Sequence, residues 1–198
     1  MLSDEIKYEN KVRFLNLLTR LNIDLTPLYK YLEDINYFEQ PATAQYQFSY
    51  AGGLCEQALK LCHELGVLCE AYFPNKYTEE DIIKVALFKE LYRAEMYELY
   101  NKNIKDDETG TWKAILAYRT KENRIVYGDL GFSSYMIAKR FISFSDEQIE
   151  ALVHSTGLNN YSIDIHDILK KYPLVTLTKM ADMVVNYLSL NESETKEC

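Results

Sequence analysis

Gly52-Gly-Leu-Cys-Glu-Gln-Ala-Leu-Lys-Leu-Cys-His-Glu-Leu-Gly-Val-Leu-Cys-Glu-Ala-Tyr-Phe-Pro74 decides the fold class. Two glycines let the chain turn in, helix-forming letters run from about Leu54 to Phe73, and a proline closes the segment. Apolar residues fall on most faces, so this helix is expected at the centre, packed by others all round. Cys55, Cys62 and Cys69 recur every seven residues and share one stripe, beside Leu54, Leu61 and Leu68 on the next. Thiols in that pattern read as small buried packing residues of a reduced cytoplasmic protein. No Cys-x-x-Cys pair is present to hold structural zinc.

Working outward, Ser3 or Asp4 caps a first helix that turns Ile6, Val12, Leu15, Leu18 and Leu21 toward a core. Thr26-Pro27 starts a second helix ending near Asp34. Glu39 to Ala51, with Pro41, Tyr46, Phe48 and Tyr50, lacks a 3.6-residue period and reads as an ordered loop. Beyond the central helix, Thr78-Glu-Glu-Asp81 resembles a capping box, and the apolar spacing carries a helix to about Tyr100. Asn101 to Gly110 is turn-like. Trp112–Tyr118 and Arg124–Tyr127 form a hairpin signal about a turn at Arg119–Asn123. Ser133 or Ser134 opens a helix through Phe141, and Ser145-Asp-Glu-Gln148 caps the helix that carries His154. A short helix follows over Asp164–Lys171, and the last helix, after Pro173, over Leu174–Leu188. The expected organisation is one helical domain over residues 1–190 and a polar tail over 191–198.

Composition narrows the function. The chain has 198 residues, 22 Lys+Arg against 30 Asp+Glu, a net charge of -8, 17 Tyr, 7 Gly and only 3 His. A length near 200 buries a full core without staples. The acidic balance argues against nucleic acid as the main partner, because that affinity comes from clustered Lys and Arg. The N-terminus has no basic n-region leading into an apolar stretch, so no secretory signal is expected. No run approaches the ~18 apolar residues of a membrane span. No glycine-rich phosphate loop or G-x-S-x-G elbow occurs. His166-Asp167, taken alone, reads as a solvated helix face.

Three stretches in order carry a resemblance. They are Pro41-Ala-Thr-Ala-Gln-Tyr-Gln-Phe-Ser-Tyr-Ala-Gly-Gly-Leu-Cys-Glu-Gln57, Val85-Ala-Leu-Phe-Lys-Glu-Leu-Tyr-Arg93 and Tyr172-Pro-Leu-Val-Thr-Leu-Thr-Lys-Met-Ala-Asp182. Together they are similar to HD-domain phosphohydrolases of phage and bacterial type, over about residues 25 to 190. The resemblance implies an all-α, HD-domain-like helical bundle with a small β-hairpin insertion, and a place in the cytoplasm, the host's if phage-encoded.

The chemistry departs from the family at its centre. The first metal-binding histidine of the family falls on Gln57, the His-Asp pair on Lys89 and Glu90, and a further histidine on Leu130. The last His is replaced by Lys179. His154 and Asp182 remain as remnant metal positions, while His63 and His166 match no ligand position. Hydrolysis in such sites depends on a cation that lowers the pKa of bound water, and an ammonium opposes that cation at close range. The divalent metal is therefore expected to be lost, with Lys89 or Lys179 pairing with Glu90 or Asp182 in its place.

The resemblance thus implies a catalytically inactive HD-fold binding or interaction module, its partner a nucleotide-like, phosphate-bearing anion or a protein. Lys89, Arg93, Lys179 and Arg140 would supply an anion cluster, with Gln57 and Tyr46 beside it. The alternative is a phosphohydrolase with a rebuilt site, in which His154 works with Glu90 or Asp182 as acid and base. Oligomeric state is not fixed by these residues.

Overall fold

Ser3 caps the first helix, its Oγ accepting the Ile6 amide at 3.3 Å, and α1 runs Asp4–Leu18. Its buried side chains are Asn10, Phe14 and Leu18, whereas Ile6 and Val12 are exposed. Leu18 and Leu21 are buried and Leu15 packs against the core as expected, so only the N-terminal part of the expected stripe, Ile6 and Val12, faces outward. The Phe14 ring sits 5.1 Å from that of Tyr37 and 5.6 Å from that of Phe38, and this aromatic cluster sets which face turns inward. α2 (Thr26–Asp34) begins at Thr26 itself, whose amide is taken by Asp24 Oδ1 at 3.0 Å. The computed structural model describes residues 2–106, 110–124, 127–154 and 163–188. The polar tail expected over 191–198 lies outside the described residues.

α3 (Gly53–Tyr72) is the central helix predicted from the Gly52–Pro74 stretch, and both of its leading glycines are required. Gly52 has a φ of 83°, and a Cβ on Gly53 would stand 2.2 Å from the Phe48 carbonyl oxygen. Leu54, Leu61 and Leu65 are fully buried, and α1, α4 and α8 pack around this helix. Its last turns differ from the expectation of burial all round, since Val67 and Tyr72 are exposed. Cys55 and Cys69 are buried and Cys62 half-buried. Burial pushes their thiols up to about 12, 12 and 11 respectively, which makes them unreactive packing residues.

Thr78 and Asp81 cap α4 (Glu79–Phe88) reciprocally, as the sequence predicts. The predicted continuation to Tyr100 does not form. A 3₁₀ turn over Leu91–Glu95 follows instead, because the Tyr92 amide is taken by the buried Ser134 hydroxyl at 3.2 Å rather than by a helical carbonyl. β1 (Tyr97–Lys105) then pairs antiparallel with β2 (Trp112–Thr120), Tyr97 opposite Thr120 and Lys105 opposite Trp112. The hairpin is real but sits one strand earlier than expected. Trp112–Tyr118 belongs to its second strand, and residues 125–126 of the other predicted strand lie outside the described residues.

α5 (Leu130–Ala138) is capped by Asp129, whose Oδ1 accepts the Phe132 amide at 2.8 Å, and not by Ser133 or Ser134. Those serines are buried and accept amides from Tyr127 and Tyr92. α6 (Asp146–His154) carries the predicted Ser145–Gln148 box. α7 (Ile163–Lys171) and α8 (Pro173–Met183) follow, the latter continuing as a π-helical turn over Val184–Leu188. The described residues are thus mostly helical, with eight α-helices and one two-stranded sheet. α3, α4, α6 and α8 meet around the core. No helix among the described residues is long and apolar enough to cross a membrane.

Candidate functional site

Lys89 follows the last residue of α4 with helical dihedrals, which direct its side chain into the core, and it is only 1 % exposed. α8 brings Asp182 to meet it. Lys89 Nζ lies 2.5 Å from Glu90 Oε1 and 2.9 Å from Asp182 Oδ1. The other oxygen of Glu90 accepts from Arg93 Nε, one turn along the 3₁₀ segment. Arg93 Nη1 in turn donates to the Ala42 carbonyl and the Tyr97 hydroxyl, each at 3.0 Å. Two cations and two carboxylates therefore alternate in one chain, buried at Lys89 and Glu90 and half-buried at Arg93 and Asp182.

A second strand of polar contacts joins this cluster to α3. Asn186, one turn after Asp182, donates from Nδ2 to the Asp182 carbonyl at 2.9 Å and accepts the Gln57 amide at 2.8 Å. Gln57 is buried, and its Oε1 has no hydrogen bond among the described residues.

Burial alone would force Glu90 toward its neutral form. Arg93 and then Lys89 overcome that penalty and hold its carboxyl down at about 2. For Lys89, burial opposes the charge, yet Glu90 and Asp182 raise its pKa above the usual lysine value. Such a pair adds little net stability compared with an apolar replacement, but it becomes costly once either partner is removed.

The structure gathers four of the sequence-predicted residues, Lys89, Glu90, Arg93 and Asp182, and reaches Gln57 through Asn186. Lys179 sits half-buried one turn before Asp182 on α8. The other candidates lie apart. His154, at the end of α6, pairs with Glu150 at 3.1 Å. Arg140 donates to the Tyr127 hydroxyl at 2.6 Å, and Tyr46 is 80 % exposed on the loop before α3. Asn186, the Ala42 carbonyl and Tyr97 complete the cluster; Asn186 and Ala42 were not marked by the sequence reading, and Tyr97, which it offered as stacking surface for a base, instead accepts from Arg93 through its hydroxyl. Asn186 had a usable signal, its four-residue spacing from Asp182 on one helix.

The donor set does not fit a divalent cation. Its two carboxylates are already bridged by an ammonium, and Gln57 offers a single amide oxygen where imidazole would bind more firmly. Among the described residues no group of three or more His, Cys, Asp or Glu side chains is placed to hold a metal ion. Nor does the cluster offer a free cation to an anion, since Lys89 is buried and the Arg93 guanidinium is engaged by a carboxylate, a carbonyl and a phenol. Compared with known proteins, the chain matches no family model, no curated protein and no solved structure.

Proposed function

We propose that this chain is a catalytically inactive HD-domain-like protein that serves as an interaction module for a protein partner. One observation carries the reading: the buried Lys89 ammonium lies between Glu90 and Asp182, two positions that the motif resemblance assigns to metal ligands. A cation of fixed charge then replaces an exchangeable one, the carboxylates stay satisfied, and no bound water is activated. The engagement of Arg93 inside the cluster favours a protein partner over a nucleotide-like anion. Abundant tyrosine supports the same choice, since Tyr gives large contact area at low entropy cost.

Turnover assays test this directly. Nucleotides and phosphomonoesters incubated with the chain, with and without added manganese, are expected to show no release of phosphate above a buffer control. The His154→Ala variant should behave as the parent. Turnover that disappears in His154→Ala would overturn the proposal.

A further inference from the structure

The charge chain that starts at Asp182 and Lys89 ends on a loop. Arg93 Nη1 donates to the carbonyl of the fully buried Ala42, and the Ala42 amide donates at 3.0 Å to the carbonyl of Phe48. Both backbone groups of Ala42 are thereby used, and residues 42–48 form a closed loop. Within it, Thr43 Oγ1 donates to the Gln47 carbonyl at 2.8 Å and accepts the Tyr46 amide at 3.1 Å. Tyr46 stands exposed at the tip.

This loop holds a conformation that needs support. Phe48 has a φ of 56°, in the left-handed region that a bulky residue rarely occupies, while its side chain is buried. Such geometry persists where surrounding contacts over-determine it. The feet of the loop are tied separately, the Leu54 amide to the Gln40 carbonyl at 3.0 Å and the Gly53 amide to the Tyr50 carbonyl at 2.9 Å. Lys60 Nζ lies 5.2 Å from the centre of the Phe48 ring, a contact that fixes the side chain rather than the backbone. Arg93 is different, because it reaches the loop backbone from outside. Its aim is set by Glu90, which accepts from Nε, and Glu90 is itself held by Lys89. An ion-pair chain of this kind adds little net stability, and what it supplies instead is fixed geometry.

We infer that Arg93 is a positioning residue that acts through the Ala42 carbonyl, holding residues 42–48 in the one conformation that presents Tyr46, with Lys89 and Glu90 serving to aim it. A forked guanidinium suits this task, since Nε and Nη1 face separate acceptors at once. An aromatic side chain on a loop ordered in advance then loses little entropy on contact. The inference is independent of whether the charge cluster replaces a metal.

Native-state hydrogen exchange of the full chain, read amide by amide by NMR, tests it. In the parent, the Ala42 and Tyr46 amides should be protected by roughly a hundredfold or more over an open chain. Arg93→Lys keeps a cation beside Glu90 but gives up the fork, and it should speed exchange at both amides by roughly tenfold or more, the scale of one hydrogen bond from a charged donor. Leu61 and Leu65 of α3 report on the fold as a whole and should keep their parent protection. Lys60→Met should leave the Ala42 and Tyr46 amides at their parent rates. Chymotrypsin gives a second readout, with cleavage after Tyr46 faster in Arg93→Lys than in the parent. Unprotected Ala42 and Tyr46 amides in the parent overturn the inference whatever the variants do. So does an Arg93→Lys loop that exchanges at the parent rate, a rise shared equally by Leu61 and Leu65, or an equal loosening in Lys60→Met.

Discussion

Replacing Lys89 by alanine is expected to lower the unfolding free energy by about 3–5 kcal/mol, because it leaves the buried Glu90 carboxylate and the half-buried Asp182 without their shared cation. For a chain of this size that is a fall of roughly 6–20 °C in melting temperature. Part of any loss on truncation to alanine comes from the cavity left by the aliphatic stem. Lys89→Met keeps most of that volume and should still lose most of the stability, which separates charge from packing. Asp182→Asn in the Lys89→Met background should then cost less than it does alone. Glu90 still has Arg93 in that double variant, and the introduced asparagine carries no charge to strand. A coupling of about 1–3 kcal/mol between the two positions is expected by thermal or urea unfolding. Additive effects, or a Lys89→Met variant as stable as the parent, would show that the pairing contributes nothing.

Acid should expose the same cluster. Glu90 is held at about 2 against an ordinary value of 4.5, so the native state resists protonation that the unfolded chain accepts. A depressed carboxylate contributes its stability in full above the unfolded value and loses it as pH falls through the folded one. The loss therefore runs from about pH 5 down to pH 2, and for a shift of this size it is on the order of 3 kcal/mol. Glu90→Gln should reduce the slope of unfolding free energy against pH in that window by up to about 1.4 kcal/mol per pH unit. The variant is less stable than the parent at neutral pH, and the two curves converge near the acid end. Parallel curves from pH 7 to pH 2 would mean that Glu90 titrates normally and is not held by Lys89 and Arg93.

Local chemistry made much of the helical framework legible from sequence. Ser3, Thr78 with Asp81 and Ser145 with Gln148 each cap a helix through contacts three residues apart, so no tertiary information is needed to place them. The Gly52-Gly53 entry to α3 is local in the same way. What the sequence left open depends on distant partners. The inward face of α1 is set by Phe14 meeting Tyr37 and Phe38, and α4 ends early because Ser134, from another helix, takes the Tyr92 amide. β1 was missed for a different reason. Most of its length has water on both faces, so the alternation of apolar and polar residues that marks a half-buried strand is absent.

At the candidate site, the pairing of Lys89 with an acid follows from placing opposite charges on one motif frame. The inward turn of Arg93 does not, because besides Tyr97, four residues on, it needs the carbonyl of Ala42, which lies 51 residues away in sequence. Arg140 and Tyr46 shared a residue type with anion-binding positions but not a location. Residue type alone drew them into the candidate set, and the fold places them elsewhere.

The proposal that Lys89 stands where a relative would hold a divalent cation is tested most directly by elemental analysis of the intact chain, purified from medium supplemented with manganese, iron, nickel and zinc. The expected result is that none of the four is retained at a stoichiometric level, in the parent or in His154→Ala. A full equivalent of any one of them per chain, lost on His154→Ala or Asp182→Ala, would contradict it.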